Sequence, residues 1–247
     1  MRLFAPAVYT LAFAVCTPAH AAIASSSHLA TARQHADRVV PMITAAMSPA
    51  KASRTAALAE RQSLGGKLAD YAANPAGDPQ TCENFVDAAR RILAGGAATK
   101  RTPDETIFTL DELADKIFAA VDGAEIAARV SRPAPDEREF TALRARGHLA
   151  RFHARRIVAA MHYNLFKRGL RLAELVAATY AEKEAVVAWR ELTTLPAAPE
   201  IAAARRAELK KLEASLKELE DQCCPPDEAI LKEKVWQPAR PARAQPK

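Results

Sequence analysis

Glycine is scarce in this chain, with 8 in 247 residues, and aromatics make up only 6%. β-Branched residues never run to three in a row. Strands draw on such runs, with apolar and polar residues alternating, so the sequence offers little from which to build a sheet. There is no CxxC, no CxxCH and no Cys/His set at zinc spacing. That removes support for redox, haem-attachment and structural-zinc readings, and no metal or cofactor is expected. Beyond Ala21 no apolar run approaches the ~20 residues that cross a bilayer. Charge is close to balanced, with 35 Lys+Arg against 29 Asp+Glu. A mildly basic total is weak ground for any polyanionic partner.

Alanine and helical spacing fill the space these absences leave. Apolar residues recur at i, i+3, i+4 and i+7, the signature of helices with one buried face. The expected fold class is therefore all-α: a multi-helix bundle with a C-terminal helical hairpin and a disordered tail.

The first residues read as an export signal. Met1-Arg2 is followed by an apolar stretch from Leu3 to Cys16 and then by Ala19-His20-Ala21. This is the order of charged region, apolar region and small-residue cleavage site, which predicts cutting after Ala21 and a periplasmic or secreted product. A membrane anchor would need a longer stretch. A lipidated Cys16 is disfavoured by the bulky Val15 before it.

Punctuation divides the rest. A helix is predicted over Ser27–Val40, stopped by Pro41, and another from Ser48-Pro49 toward Tyr71, with a break at Gly65-Gly66. Asn74 to Pro79 reads as a loop. Thr81 is a candidate cap for a helix through Leu93. Thr102-Pro103-Asp104-Glu105 and Thr109-Leu110-Asp111-Glu112 both have capping-box spacing, the second opening a helix to Val121. Arg132-Pro133-Ala134-Pro135 reads as a stiff linker, dividing an N-terminal helical region (22–131) from a C-terminal one (136–236). Long helices are predicted over Asp136–Arg168, Arg171–Thr193 and Glu200–Gln222. The last carries Leu209, Leu212, Leu216 and Leu219 in a coiled-coil-like seam. A short helix over Asp227–Trp236 and a disordered tail over 237–247 complete the expectation.

Cys82, Cys223 and Cys224 would meet an oxidising compartment in odd number, so Cys82 is a candidate to pair with one of the adjacent two. Three unpaired thiols are the alternative.

One charge pattern stands out. From Phe140 to Ala173 there are eight Lys+Arg and no Asp or Glu. At 100° per residue, Arg144, His148, Arg151, Arg155 and His162 fall within about 60° of one another, between two apolar flanks. The stripe can meet acids of the same chain, seven of which lie in Asp104–Glu125. It can instead bind an anion, such as an acidic glycan or an acidic protein. Charge clusters usually satisfy each other, so the first is favoured. Glu182 lies on the apolar arc of the following helix and needs a partner there, and an arginine can grip it. The candidate binding residues are thus Arg144, His148, Arg151, Arg155, His162 and Glu182. No histidine pair is placed to hold one ion. Nucleic acid is not expected, since no stacking platform accompanies the basic helix.

The stretch His148-Leu149-Ala150-Arg151-Phe152-His153-Ala154-Arg155-Arg156-Ile157, continuing through Tyr163-Asn164-Leu165-Phe166 to Ala185-Val186-Val187-Ala188-Trp189-Arg190, resembles a helical region of large exported bacterial proteins that look like glycoside hydrolases. The turn between the two helices departs from that pattern, reading Lys167-Arg168-Gly169-Leu170 in place of Thr-Gly-Asp. No barrel precedes the helices, so no catalytic carboxylate pair is carried over. The resemblance implies a helical accessory part of glycan-degrading machinery, without the enzyme. The expected activity is binding or scaffolding, without catalysis.

Overall fold

The computed structural model describes residues 18–47, 66–129, 137–223 and 235–239. Among them are seven helices and no strand. They are α1 (Pro18–Ala46), α2 (Leu68–Ala72), α3 (Phe85–Ala94), α4 (Pro103–Ala128), α5 (Glu137–Gly169), α6 (Leu172–Thr194) and α7 (Pro199–Gln222). The chain is all-α, as its spacing predicted.

The helix α5 is the axis of the assembly. It packs against α1, α2, α3, α4 and α6, and α7 packs on the outside of α6 to form the terminal hairpin. One apolar core draws on all seven helices. The reason is legible in α5 itself. Ala145, Leu149, Phe152, Ala154, Ile157, Ala159, Ala160 and Met161 are all buried, so this helix is apolar around most of its circumference. Such a helix must be surrounded.

Several boundaries differ from expectation. Pro41 does not stop the first helix; α1 runs through it to Ala46. Leu29, Ala32, Ala36, Val39, Ile43 and Met47 form one buried stripe, mostly against α4, and that packing outweighs the donor that proline removes. What caps α1 is the loop after α2, where Asp78 N–H donates to Ala45 O at 2.9 Å. Gly77 is needed there, because a Cβ would stand 1.7 Å from Thr44 O.

Thr81 does not cap α3. Glu83 N–H donates to Arg101 O and Arg101 N–H to Thr81 O, which holds this stretch extended until Asn84. Asn84 then accepts from Asp87 N–H at 2.9 Å, and Gly95 closes the helix at φ 67°. The Thr102 box forms in full, with Glu105 N–H donating to Thr102 Oγ1 and Thr102 N–H to Glu105 Oε2. The Thr109 box does not form. Thr109 Oγ1 donates to Glu105 O inside an unbroken α4, since Leu110, Leu113 and Ile117 continue the buried face begun by Ile107.

The long helices α5, α6 and α7 fall within a residue or so of their predicted spans. On α7, Leu212 and Leu219 are buried while Leu209 and Leu216 sit at the edge of the core. Trp189 of α6 donates its indole N–H to Arg205 O of α7 at 3.1 Å. Among the described residues no helix is long and apolar enough to cross a membrane. Residues 1–17 of the expected signal (1–21), the linker Arg132–Pro135, most of the helix predicted from Ser48 and residues 224–234 lie outside the described residues, whereas Pro18 to Ala21 belong to the start of α1. Val235 to Ala239 are not helical.

Candidate functional site

Two polar centres lie on different sides of α5. The first is the basic stripe. Arg144 meets Asp122 at 2.7 Å and Glu125 at 2.8 Å. Arg151 meets Asp115 at 2.6 Å and Asp111 at 3.8 Å. Arg155 meets Asp111 at 3.3 Å and Glu184 at 3.5 Å. Four of these acids come from α4, which the sequence marked as acid-rich. The spacing of Asp111, Asp115, Asp122 and Glu125 puts them on the α4 face that runs beside α5. Burial pushes the Asp111 carboxyl up, and Arg155 and Arg151 oppose that push. His148 shares the stripe but packs edge-on against Phe118, with ring centres 4.9 Å apart. Burial lowers its pKa. The stripe is thus a ladder between α4 and α5, and each of its three arginines already holds carboxylates.

The second centre is enclosed. Arg156 and Glu182 have fully buried side chains, with Arg156 Nε 3.3 Å from Glu182 Oε1. The guanidinium lies over the Tyr71 ring at 4.7 Å and donates to Gly66 O at 3.1 Å. Tyr71 Oη shares a 3.0 Å hydrogen bond with His153 Nδ1. Burial, with Arg156 adding to it, lowers the His153 pKa to about 3, so this ring is neutral. Burial pushes the Glu182 carboxyl up, and Arg156 opposes it. The expectation that Glu182 needs a partner is met, and the partner is Arg156.

A third pair lies farther along α5. His162 Nδ1 and Glu174 Oε2 of α6 are 2.6 Å apart, both side chains buried. Trp236 of the non-helical C-terminal segment covers them. Its backbone N–H donates to Glu174 Oε1 at 3.1 Å, and its ring lies edge-on to His162 with centres 5.2 Å apart. Ala239 N–H reaches Asp104 Oδ2 at the start of α4. Burial pushes the Glu174 carboxyl up, but His162, the Trp236 N–H and Arg171 outweigh it and hold it below its ordinary value. His162 is therefore on the far end of α5 from Arg144 and joins none of the stripe arginines.

Sequence reasoning missed Arg156, His153, Tyr71 and Glu174. A signal for Arg156 existed. At about 120° from Arg144 around the axis it falls among Leu149, Phe152 and Tyr163, on an apolar flank. Cys82 and Cys223 are free thiols. Cys82 is buried in the paired stretch beside Arg101, whereas Cys223 ends α7 with its sulfur 3.2 Å from Thr179 Oγ1. These two are not bridged, and Cys224 lies outside the described residues. No group of three or more metal-binding side chains occurs among the described residues.

No family model matches the sequence, and no curated protein matches it significantly. Among solved structures, the fold is similar to part of a protein described as a GH138 enzyme targeting pectin rhamnogalacturonan II, with a TM-score of 0.61 and 16% identity. The likeness covers 85% of this chain and 33% of that one, so this chain spans about a third of the enzyme's length. At this identity the shared property is the fold: a helical module resembling part of a glycan-degrading enzyme.

Proposed function

We propose that the chain is an extracytoplasmic accessory module of glycan-degrading machinery, one that binds or positions without catalysing. The observation that carries this reading is the fold shared with a third of a pectin-targeting enzyme. The export-type N-terminus read from the sequence supports the compartment. The polar centres support the passive role. Arg156–Glu182 and His162–Glu174 are sealed into the interior, where they join α5 to α6, and the stripe arginines are engaged by α4 and α6. The reading of that stripe as an anion site loses its motivation, since an anion would have to displace carboxylates already in place.

The test uses the purified chain with pectic rhamnogalacturonan and with a neutral polysaccharide. Reducing-sugar release should stay at background across acid to neutral pH. Retarded migration in pectin-containing gels, absent in gels of the neutral polymer, is the expected sign of a glycan-facing module. Hydrolysis by the isolated chain would overturn the non-catalytic role.

A further inference from the structure

The corner where α3 and α5 end combines exposed leucines with cations. Leu93 and Leu170 are both exposed there, Leu170 at 78%. Gly169, the residue before Leu170, lies beside Leu93: a Cβ on it would stand 3.8 Å from Leu93 Cδ2. Arg90, Lys167 and Arg168 line the same shallow hollow as Leu93. The nearby acids are Asp87, which holds Arg90 in an exposed pair, and Glu174, which is buried in its own pair. Lys167 makes no ion pair among the described residues.

Helix C-termini attract cations, and that accounts for Lys167 and Arg168 in the last turn of α5. It does not account for the leucines. Leu170 has φ 52°, the one non-glycine residue at positive φ among those described. A side chain in this conformation is strained, although Gly169 stands next to it. Leu170 ends α5 in the left-handed conformation, its N–H donating to Phe166 O at 2.7 Å, so an exposed leucine stands where helices usually place glycine.

We propose that this corner is a peripheral contact site for an anionic lipid surface. Leu93 and Leu170 enter the headgroup boundary, while Arg90, Lys167 and Arg168 meet the lipid phosphates. Charge complementarity selects the occupant. Lys167 carries no ion pair among the described residues, Arg168 bonds only the uncharged Asn164, and Arg90 shares its charge with Asp87. The corner thus stays net positive beside exposed leucines and matches a surface that is negative outside and apolar beneath. The site is one of reversible contact, compatible with a chain that has no span among its described residues.

Vesicle co-sedimentation tests it. Vesicles of equal parts phosphatidylglycerol and phosphatidylcholine should carry the intact chain down at low salt, and vesicles of phosphatidylcholine alone should not. Leu170→Gly removes the side chain and relieves the backbone, so its melting temperature should equal or exceed that of the parent while its lipid affinity falls roughly tenfold. Lys167→Glu should weaken binding and flatten its salt dependence. Absence of sedimentation with anionic vesicles overturns the proposal. Binding that Lys167→Glu abolishes and Leu170→Gly leaves intact also overturns it, because the corner is then a plain polyanion surface.

Discussion

Arg155 and Arg156 are neighbours on α5 and occupy opposite surroundings. Arg155 is 31% exposed and shared between Asp111 and Glu184. Arg156 is wholly buried against Glu182, the Tyr71 ring and Gly66 O. The chemistry is the same and the energetics are not. Water screens the first pair, so each of its contacts is worth about 0.2–1 kcal/mol. Nothing screens the second, so removing one partner strands a charge at a cost of about 3–5 kcal/mol. A helix surrounded on most sides carries both kinds of pair one residue apart, because 100° of rotation takes a side chain from the α4 seam into the core.

The largest expected effect comes from breaking the enclosed pair. Glu182→Leu should lower unfolding stability by about 3–5 kcal/mol in denaturant titration. Arg156→Met with Glu182→Leu should recover most of the loss, since two apolar side chains leave no charge stranded. If the double variant is as unstable as the single one, the pair matters through its contacts with Tyr71 and Gly66 rather than through its charge.

Acid sharpens the same contrast. His153 has its folded-state pKa lowered from 6.5 to about 3, so below pH 6.5 the unfolded chain binds a proton that the native one does not. Stability should therefore fall as pH drops from 6.5 toward 3, with a limiting slope of about 1.4 kcal/mol per pH unit. Glu174, held below its ordinary value, adds to the loss below about pH 4.5. Glu182 is shifted the other way and opposes it. Comparing His153→Gln with the parent isolates the histidine, because both carboxyls remain. A variant whose acid limb is as steep as the parent's would show that His153 is not the group responsible.

A smaller effect is expected at Tyr71→Phe. It deletes the hydroxyl that meets His153 Nδ1 but keeps the ring under Arg156. The loss should be about 1–3 kcal/mol, the cost of leaving a buried ring nitrogen without its partner.

How far this contrast could be read beforehand depends on the side of α5. The exposed ladder was legible, because both partners show as runs of one sign: an acid-free basic helix and an acid-rich α4. The enclosed centre was half legible. Glu182 on an apolar arc announced a need, and the angle of Arg156 placed it on an apolar flank, but Tyr71 arrives from α2 along no local pattern. Helix limits behave in the same way. Gly95 and the Thr102 box act locally and were readable as signals. Pro41 and Thr109 were overruled by buried stripes at Val39–Ile43 and Leu110–Leu113, whose partners lie far away in sequence. The match of fold at 16% identity belongs with this. At that identity the two chains share a fold, and one fold can be specified by many sequences.

The smallest effect is expected on the ladder itself, and it tests whether the ladder is structural support at all. Arg151→Ala frees Asp115, which is mostly exposed, and leaves Asp111 still facing Arg155. Water can solvate the first carboxylate and the second keeps a cation, so the loss should stay below about 1 kcal/mol. It should shrink further in molar salt, where the Debye length falls to about 3 Å. The Glu182→Leu loss should persist in the same salt, because ions do not reach the Arg156 side chain. Should Arg151→Ala prove as costly as Glu182→Leu and as insensitive to salt, the α4–α5 seam would be as dry as the core, and the two arginine environments would differ in geometry alone.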